Sequence, residues 1–208
     1  MDSLSDAGVA VLGGYLIGSI SFALLLGKWK GVDLRKVGSG NLGATNVGRF
    51  LGRKYGLLVY FLDACKGFLP ALGVWHWRQD WTLAVLAAAA AVCGHIWPLY
   101  LRFRGGKGVA TLTGAMLFLA PLPLLAGAGL LTLVVLTTGF MSLGSMVLAL
   151  SLPLFHFGFQ GKEAFGEQLP VFCFTLGTGI LVLYTHRSNI RHLLAGTERR
   201  VGPRRHQS

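Results

Sequence analysis

Three stretches of this chain set basic, hydroxyl and amide side chains among glycines: GSGNLGATNVGR at residues 38–49, RFRGGKGVAT at 102–111 and HRSNIRHLLAGTE at 186–198. The first holds four glycines, neutral donors at Ser39, Asn41, Thr45 and Asn46, and a guanidinium at Arg49. Glycines let backbone N–H groups wrap an anion, and a guanidinium fork matches phosphate oxygens two at a time. The stretch therefore reads as a phosphate cradle. Lys28, Lys30, Arg53 and Lys54 around it need only membrane topology to explain them, but topology has no use for GSGN followed by GATN.

The second stretch contains GGKG, in which Gly105, Gly106 and Gly108 permit close backbone approach and Lys107 supplies a point charge. Alone it is a weak signal. It is not the nucleotide-binding G-x-x-x-x-G-K-[ST] loop, because it follows the apolar run GHIWPLYL and carries valine where the hydroxyl should stand. Nucleotide hydrolysis is not expected. In the third stretch His186 and Asn189 stand three apart and share one face of a helix. Glu198 is the sole acid in a tail holding six arginines, and it is expected to pair with one of them and fix the tail.

Two further sets lie inside apolar sequence. Asp63 and Lys66, three apart, suit a compensated ion pair that orients the first loop, because a lone charge in a membrane span is costly. His95, two turns before Arg102, either lines the same pocket or packs beside it; His76 and His156 are expected near the outer face, without a role. Cys65, Cys93 and Cys173 are isolated, with no spacing that suggests a metal site or a disulfide framework.

The elements that must position these residues are membrane helices. The chain is 53% hydrophobic and 13% charged with mean hydropathy +0.59, too apolar for a soluble surface despite a net charge of +11. Nucleic acid is not an expected partner, since a basic soluble module would not carry bilayer-length apolar runs. Apolar segments run over residues 9–27, 55–77, 82–101, 109–120, 122–138, 143–159 and 169–185. The first is long enough to span and follows the acidic MDSLSD, so it is expected to be retained rather than cleaved as a signal peptide.

Residues 109–138 form either one long helix or two short ones broken at Pro121 and Pro123. Charge decides. With two passes there are seven spans, and sixteen of the nineteen Lys and Arg residues fall on one side. With one pass the basic tail would have to cross. The positive-inside rule thus predicts an all-α polytopic protein of seven transmembrane helices, N-terminus outside (periplasmic) and C-terminus cytoplasmic, in one domain over residues 1–208. All three glycine- or amide-bearing stretches then share the cytoplasmic face. Interior glycines such as Gly13, Gly14, Gly18, Gly127 and Gly129 suit close helix packing.

Together these residues resemble the bacterial acyl-phosphate:glycerol-3-phosphate acyltransferases of the inner membrane. The resemblance covers nearly the whole chain, through GSGNLGATNVGR, LDACKG, GHIWPLYLRFRGGKGVAT and HRSNIRHLLAGTE in that order. It implies transfer of a fatty acyl group from acyl phosphate to glycerol 3-phosphate. The products are lysophosphatidic acid and phosphate, in the first acylation of bacterial phospholipid synthesis. It further implies that Ser39, Arg49, His186 and Asn189 are needed for activity. Gly105, Gly106 and Gly108 would bind glycerol 3-phosphate, and Glu198 would be structural.

The chemistry is consistent with that. An acyl phosphate is a mixed anhydride whose leaving group needs little acid assistance, and both substrates carry phosphate. Proximity and electrostatic stabilisation are the expected contributions. The proton of the attacking hydroxyl goes either to His186, whose ordinary pKa is about 6.5, or to a substrate phosphate. No cofactor or metal is expected, membrane lipid is the surrounding partner, and a monomer is compatible with the reaction. No His has Asp five positions later, the signature of acyltransferases that use acyl-CoA or acyl carrier protein. Ser142 and Ser145 fall in a predicted cytoplasmic turn with no assigned contact. A competing class is a transporter or channel for a phosphorylated solute; the clustering of anion-type residues on one face, with only Asp63 and Lys66 charged within a span, argues against it.

Overall fold

The computed structural model describes residues 3–201 and is helical throughout its regular structure. Asp2, Arg204 and Arg205, which enter the charge argument, lie outside the described residues. The chain divides into two compact units, residues 1–121 and 122–208.

The first unit holds α1 (Ser3–Ser19), α2 (Phe22–Trp29), α3 (Ala44–Leu51), α4 (Arg53–Arg78), α5 (Trp81–Ile96) and α6 (Val109–Leu119). α1 packs on α5 through small residues. A Cβ added at Gly14 would meet the Ala87 backbone, and one at Gly18 the Ala91 backbone. Repeats of small residues four apart let two helix backbones come this close. α4 and α6 cross in the same way, Gly67 against Thr111 and Gly114 against Ala64. Of the glycines expected at such crossings, Gly14, Gly18 and Gly127 are there. Gly13 and Gly129 are not: nothing lies within 4 Å of a Cβ at either, because each stands on another face of its helix.

The first apolar segment is broken at Ile20 and Ser21. Ser21 caps α2 by accepting the Leu24 N–H at 3.3 Å, and the Lys66 ammonium donates to the Ile20 carbonyl at 2.8 Å. A carbonyl left without a helical partner in an apolar setting needs such a donor. The chain breaks again at Ala120 (φ −156°, ψ 77°), and Pro121 opens the next helix. Residues 109–138 are therefore two helices.

The second unit holds α7 (Pro121–Thr138, its first residue at the boundary), α8 (Met141–Gln160), α9 (Leu169–Thr185) and α10 (Arg187–Leu194). α8 packs on α9, with His156 fully buried and its ring stacked on Phe172 at 6.3 Å. Among the described residues five helical segments are long and apolar enough to cross a membrane, or six if the α9–α10 pair, bent by 58°, is counted as one span. α6, at 11 residues, is shorter than the roughly 20 that a perpendicular crossing takes.

Candidate functional site

The first glycine stretch is held from inside. Leu34, Leu42 and Val47 are buried in one apolar cluster with Ala23 and Val59, which pins both ends of the loop to α2 and α4. Between those pins Gly38 and Gly40 adopt positive φ, 66° and 67°, where side chains are disfavoured. Asn46 is the internal strut. Its Nδ2 donates to the carbonyls of Leu34 (3.3 Å) and Val37 (3.1 Å), and its Oδ1 accepts the Ser39 N–H at 3.2 Å. The Asn46 amide thus shapes the loop, while Ser39, Thr45 and Arg49 are exposed and Asn41 is half-buried.

The second stretch docks on the end of α5. The last carbonyls of a helix have no intrahelical donors. Here the Gly105 N–H donates to the Ile96 carbonyl (2.9 Å) and the Gly106 N–H to the His95 carbonyl (3.0 Å). The glycines are required by contact: a Cβ at 105 would meet the His95 carbonyl, and one at 106 the His95 ring at Nε2. Gly108, at φ 87°, starts α6, and Lys107 before it is half-buried. Gly105 and Gly106 therefore direct their N–H groups into the scaffold.

Beneath this loop lies a buried charged network. Asp63 Oδ1 stands 2.8 Å from Lys66 Nζ and 3.7 Å from His95 Nδ1, and all three side chains are at most 5% exposed. It joins α4 to α5 and, through the Lys66–Ile20 bond, to the break between α1 and α2. The Asp63–Lys66 bridge expected from their spacing is present, and His95 packs under Gly106.

The two stretches, about sixty residues apart in sequence, close one cavity of about 620 Å³, lined among others by Ser39, Asn41, Gly105 and the guanidinium-bearing residues Arg35, Arg102 and Arg104. These three arginines escaped the sequence reading because they look like ordinary topological charge. Arg35 is held at two points by Asp33, Nε to Oδ1 at 2.9 Å and NH2 to Oδ2 at 3.2 Å. Hydrogen bonding from the guanidinium keeps the Asp33 carboxyl below its ordinary pKa, and the same bond raises that of Arg35. Arg49 and Lys107 are not among the lining residues.

In the second unit His186 is buried at the junction of α9 and α10, and its Nδ1 lies 2.8 Å from the Val182 carbonyl. Asn189 stands in the first turn of α10. Glu198 Oε1 accepts from two neutral donors, Asn189 Nδ2 at 2.7 Å and Ser142 Oγ at 2.6 Å. The Val201 N–H donates to the Gly139 carbonyl at 2.7 Å, so the tail is pinned along residues 139–142. Ser145 donates back to the Met141 carbonyl within its own helix. Among the described residues no group of three or more His, Cys, Asp or Glu side chains is placed to hold a metal.

Comparison with known proteins bears on both units. The family model described as glycerol-3-phosphate acyltransferase matches residues 8–196. A glycerol-3-phosphate acyltransferase of Aquifex aeolicus is 42% identical over 191 residues, covering 91% of this chain and 96% of the relative. One of Rubrobacter xylanophilus is 44% identical over 199 residues, covering 93% and 94%. Two crystal structures of PlsY (YgiH), described as an integral membrane glycerol 3-phosphate acyltransferase, also match. Its glycerol 3-phosphate form gives a TM-score of 0.86 at 41% identity, covering 94% of this chain and 96% of that one. Its lysophosphatidic acid form gives 0.84 at 40% identity, covering 94% and 95%.

Proposed function

The chain belongs to the glycerol-3-phosphate acyltransferase family, and we propose that it transfers a fatty acyl group from acyl phosphate to glycerol 3-phosphate. It is an integral membrane acyltransferase; the donor, the pathway and the residue roles are the proposal. The observation that carries it is the cavity closed jointly by GSGN and GGKG, with Ser39, Asn41 and Gly105 on its wall.

In the proposed reaction the C1 hydroxyl of glycerol 3-phosphate attacks the acyl carbon, the bond from that carbon to the phosphate oxygen breaks, and 1-acyl-glycerol 3-phosphate and phosphate leave. Departing phosphate is a good leaving group, so the protein's main tasks are to bring two anions together and to stabilise the oxygen that gains charge. Ser39, Arg49, His186 and Asn189 are assigned to transfer. Thr45, Lys107 and Asn41 are assigned to phosphate, with Asn46, Gly105, Gly106 and Gly108 holding the loops in shape. Asp63, Lys66, His95 and Glu198 support them. The proton passes to His186 or to the departing phosphate, and His186→Gln separates these, since only the former route loses its base.

Both units serve this activity as one functional domain, a reading supported by the family match across both. Seven crossings of the bacterial inner membrane, N-terminus periplasmic and the reaction on the cytoplasmic side, follow from the charge distribution. The test is Arg49→Ala: the variant inserts in the membrane as the wild type does and forms no lysophosphatidic acid. Unchanged activity would remove Arg49 from the site.

A further inference from the structure

We propose that Arg35, Arg102 and Arg104 form an anion-capturing vestibule for the phosphate of the water-soluble acceptor, on the wall of the cavity that Ser39 and Asn41 also line. The inference rests on the reading above for the identity of the acceptor, but its evidence is the cavity itself.

Three arginines and no acidic residue are among the described residues that line this space. Neither Arg49, assigned to transfer, nor Lys107, assigned to phosphate, is part of its wall. A two-substrate reaction in which each reactant carries phosphate needs more than one anion-binding locus, and the wall of this cavity supplies cations not otherwise assigned.

Two features set Arg35 and Arg102 apart from ordinary surface charge. Arg35 is fixed by its two-point pair with Asp33, reinforced by the Arg35 N–H on Asp33 Oδ1 at 3.1 Å, which leaves the NH1 edge of the fork outside that pair. A planar fork held this way loses little freedom on meeting a second oxyanion. On the facing loop, Arg102 and Phe103 are consecutive residues at positive φ, 53° and 60°; among the described residues only one other non-glycine residue, Gln79, shares that state. Such conformations are costly for a residue with a side chain and are concentrated where function demands them. Glycine at 102 would relieve the strain and delete the guanidinium.

A cleft lined by one sign of charge raises the local concentration of an oppositely charged ligand and its rate of arrival, by about 10- to 1,000-fold for a whole field. The acceptor arrives from water as a phosphate monoester and so feels this field at full strength. Leu99, Tyr100 and Phe103 beside the arginines are each more than half exposed, an apolar rim suited to lipid, from which a long-chain donor would come instead.

The experiment compares wild type with Arg102→Gln, Arg104→Gln, the double variant and Arg35→Gln, purified in a neutral detergent. KM for glycerol 3-phosphate, KM for the acyl donor and kcat are measured as ionic strength rises from about 0.01 to about 0.15 M, which shortens the screening length from about 30 to about 8 Å. In parallel, equilibrium dialysis measures glycerol 3-phosphate binding without donor. Each single variant should raise KM for glycerol 3-phosphate about threefold and the double variant about tenfold or more, flattening the salt dependence of kcat/KM. kcat at saturating acceptor and KM for the donor should stay within about twofold of wild type. Arg102→Lys/Arg104→Lys, which keeps the charge, should restore most of the salt dependence and controls for folding.

Unchanged KM for glycerol 3-phosphate would overturn the vestibule. So would a fall in kcat alone, or a rise in KM for the donor instead of the acceptor. If wild type makes no product from any donor, the proposed reaction fails, and the vestibule is then judged by dialysis: tenfold weaker binding in the double variant supports it and equal binding refutes it.

Discussion

The imidazole of His95 occupies the place a side chain at Gly106 would need: a Cβ there would meet Nε2. The ring in turn faces Asp63 through Nδ1 at 3.7 Å, so the charged network inside the helices sets the height of the GGKG loop above them. Gly106→Ala should therefore lift the loop and raise KM for glycerol 3-phosphate by about tenfold, equivalent to about 1.4 kcal/mol. Combined with His95→Ala, which vacates the ring, it should cost less than the sum of the two single changes, with a coupling of about 0.5–3 kcal/mol. Strict additivity in steady-state kinetics would contradict the contact.

Asp63 and Lys66 form a bridge in which each neutralises the other out of reach of water. Removing one partner strands the other as a buried charge, at a cost of about 3–5 kcal/mol, whereas replacing both with apolar residues of similar size is often close to neutral. Lys66→Met should lower the thermal midpoint of the detergent-solubilised protein more than Asp63→Leu/Lys66→Met does, although the lysine bond to the Ile20 carbonyl is lost in both. An equal loss would show that the carbonyl, rather than the pairing, dominates.

Glu198 gathers Ser142 and Asn189 onto one oxygen. Hydrogen bonds to a charged group are worth about 1.5–3 kcal/mol each, so Glu198→Ala should loosen the tail and displace Asn189. Activity should fall about tenfold or more, with Glu198→Gln intermediate because an amide keeps one acceptor oxygen. Faster tryptic cleavage at Arg199 and Arg200 is the accompanying structural readout.

The Asp33–Arg35 pair carries a pH dependence of known sign. Because the folded carboxyl titrates below its ordinary value, the pairing is complete above that value and is lost only as pH falls through the lower one. The ratio of KM for glycerol 3-phosphate in Asp33→Asn to that in wild type should therefore be constant between about pH 8 and about pH 5, and should approach one only in stronger acid. A ratio that collapses between about pH 7 and about pH 6 would mean another group controls Arg35.

What the sequence discloses and what it conceals divide along locality. Each of the seven apolar segments contains a helix, and the break at Pro121 follows from proline chemistry within a few residues. The break at Ile20 is not legible, because the donor that makes it tolerable is Lys66, forty-six residues away. Asn46 reads as a ligand-facing amide until the loop folds back and offers it the Leu34 and Val37 carbonyls. The GGKG glycines read as a phosphate turn, yet the backbone N–H groups of Gly105 and Gly106 cap the end of α5. Arg35, Arg102 and Arg104 resemble any cytoplasmic charges until two distant loops are closed around one cavity. Gly13 and Gly14 are adjacent and chemically identical, and only the helix contact with Ala87 separates the packed one from the open one.

The most direct test of acyl transfer from acyl phosphate is product formation by the purified protein in detergent, given glycerol 3-phosphate with acyl phosphate, acyl-CoA or acyl carrier protein in parallel. Lysophosphatidic acid from acyl phosphate alone, with one phosphate released per product, is the predicted result. Product from either thioester donor and none from acyl phosphate would contradict it.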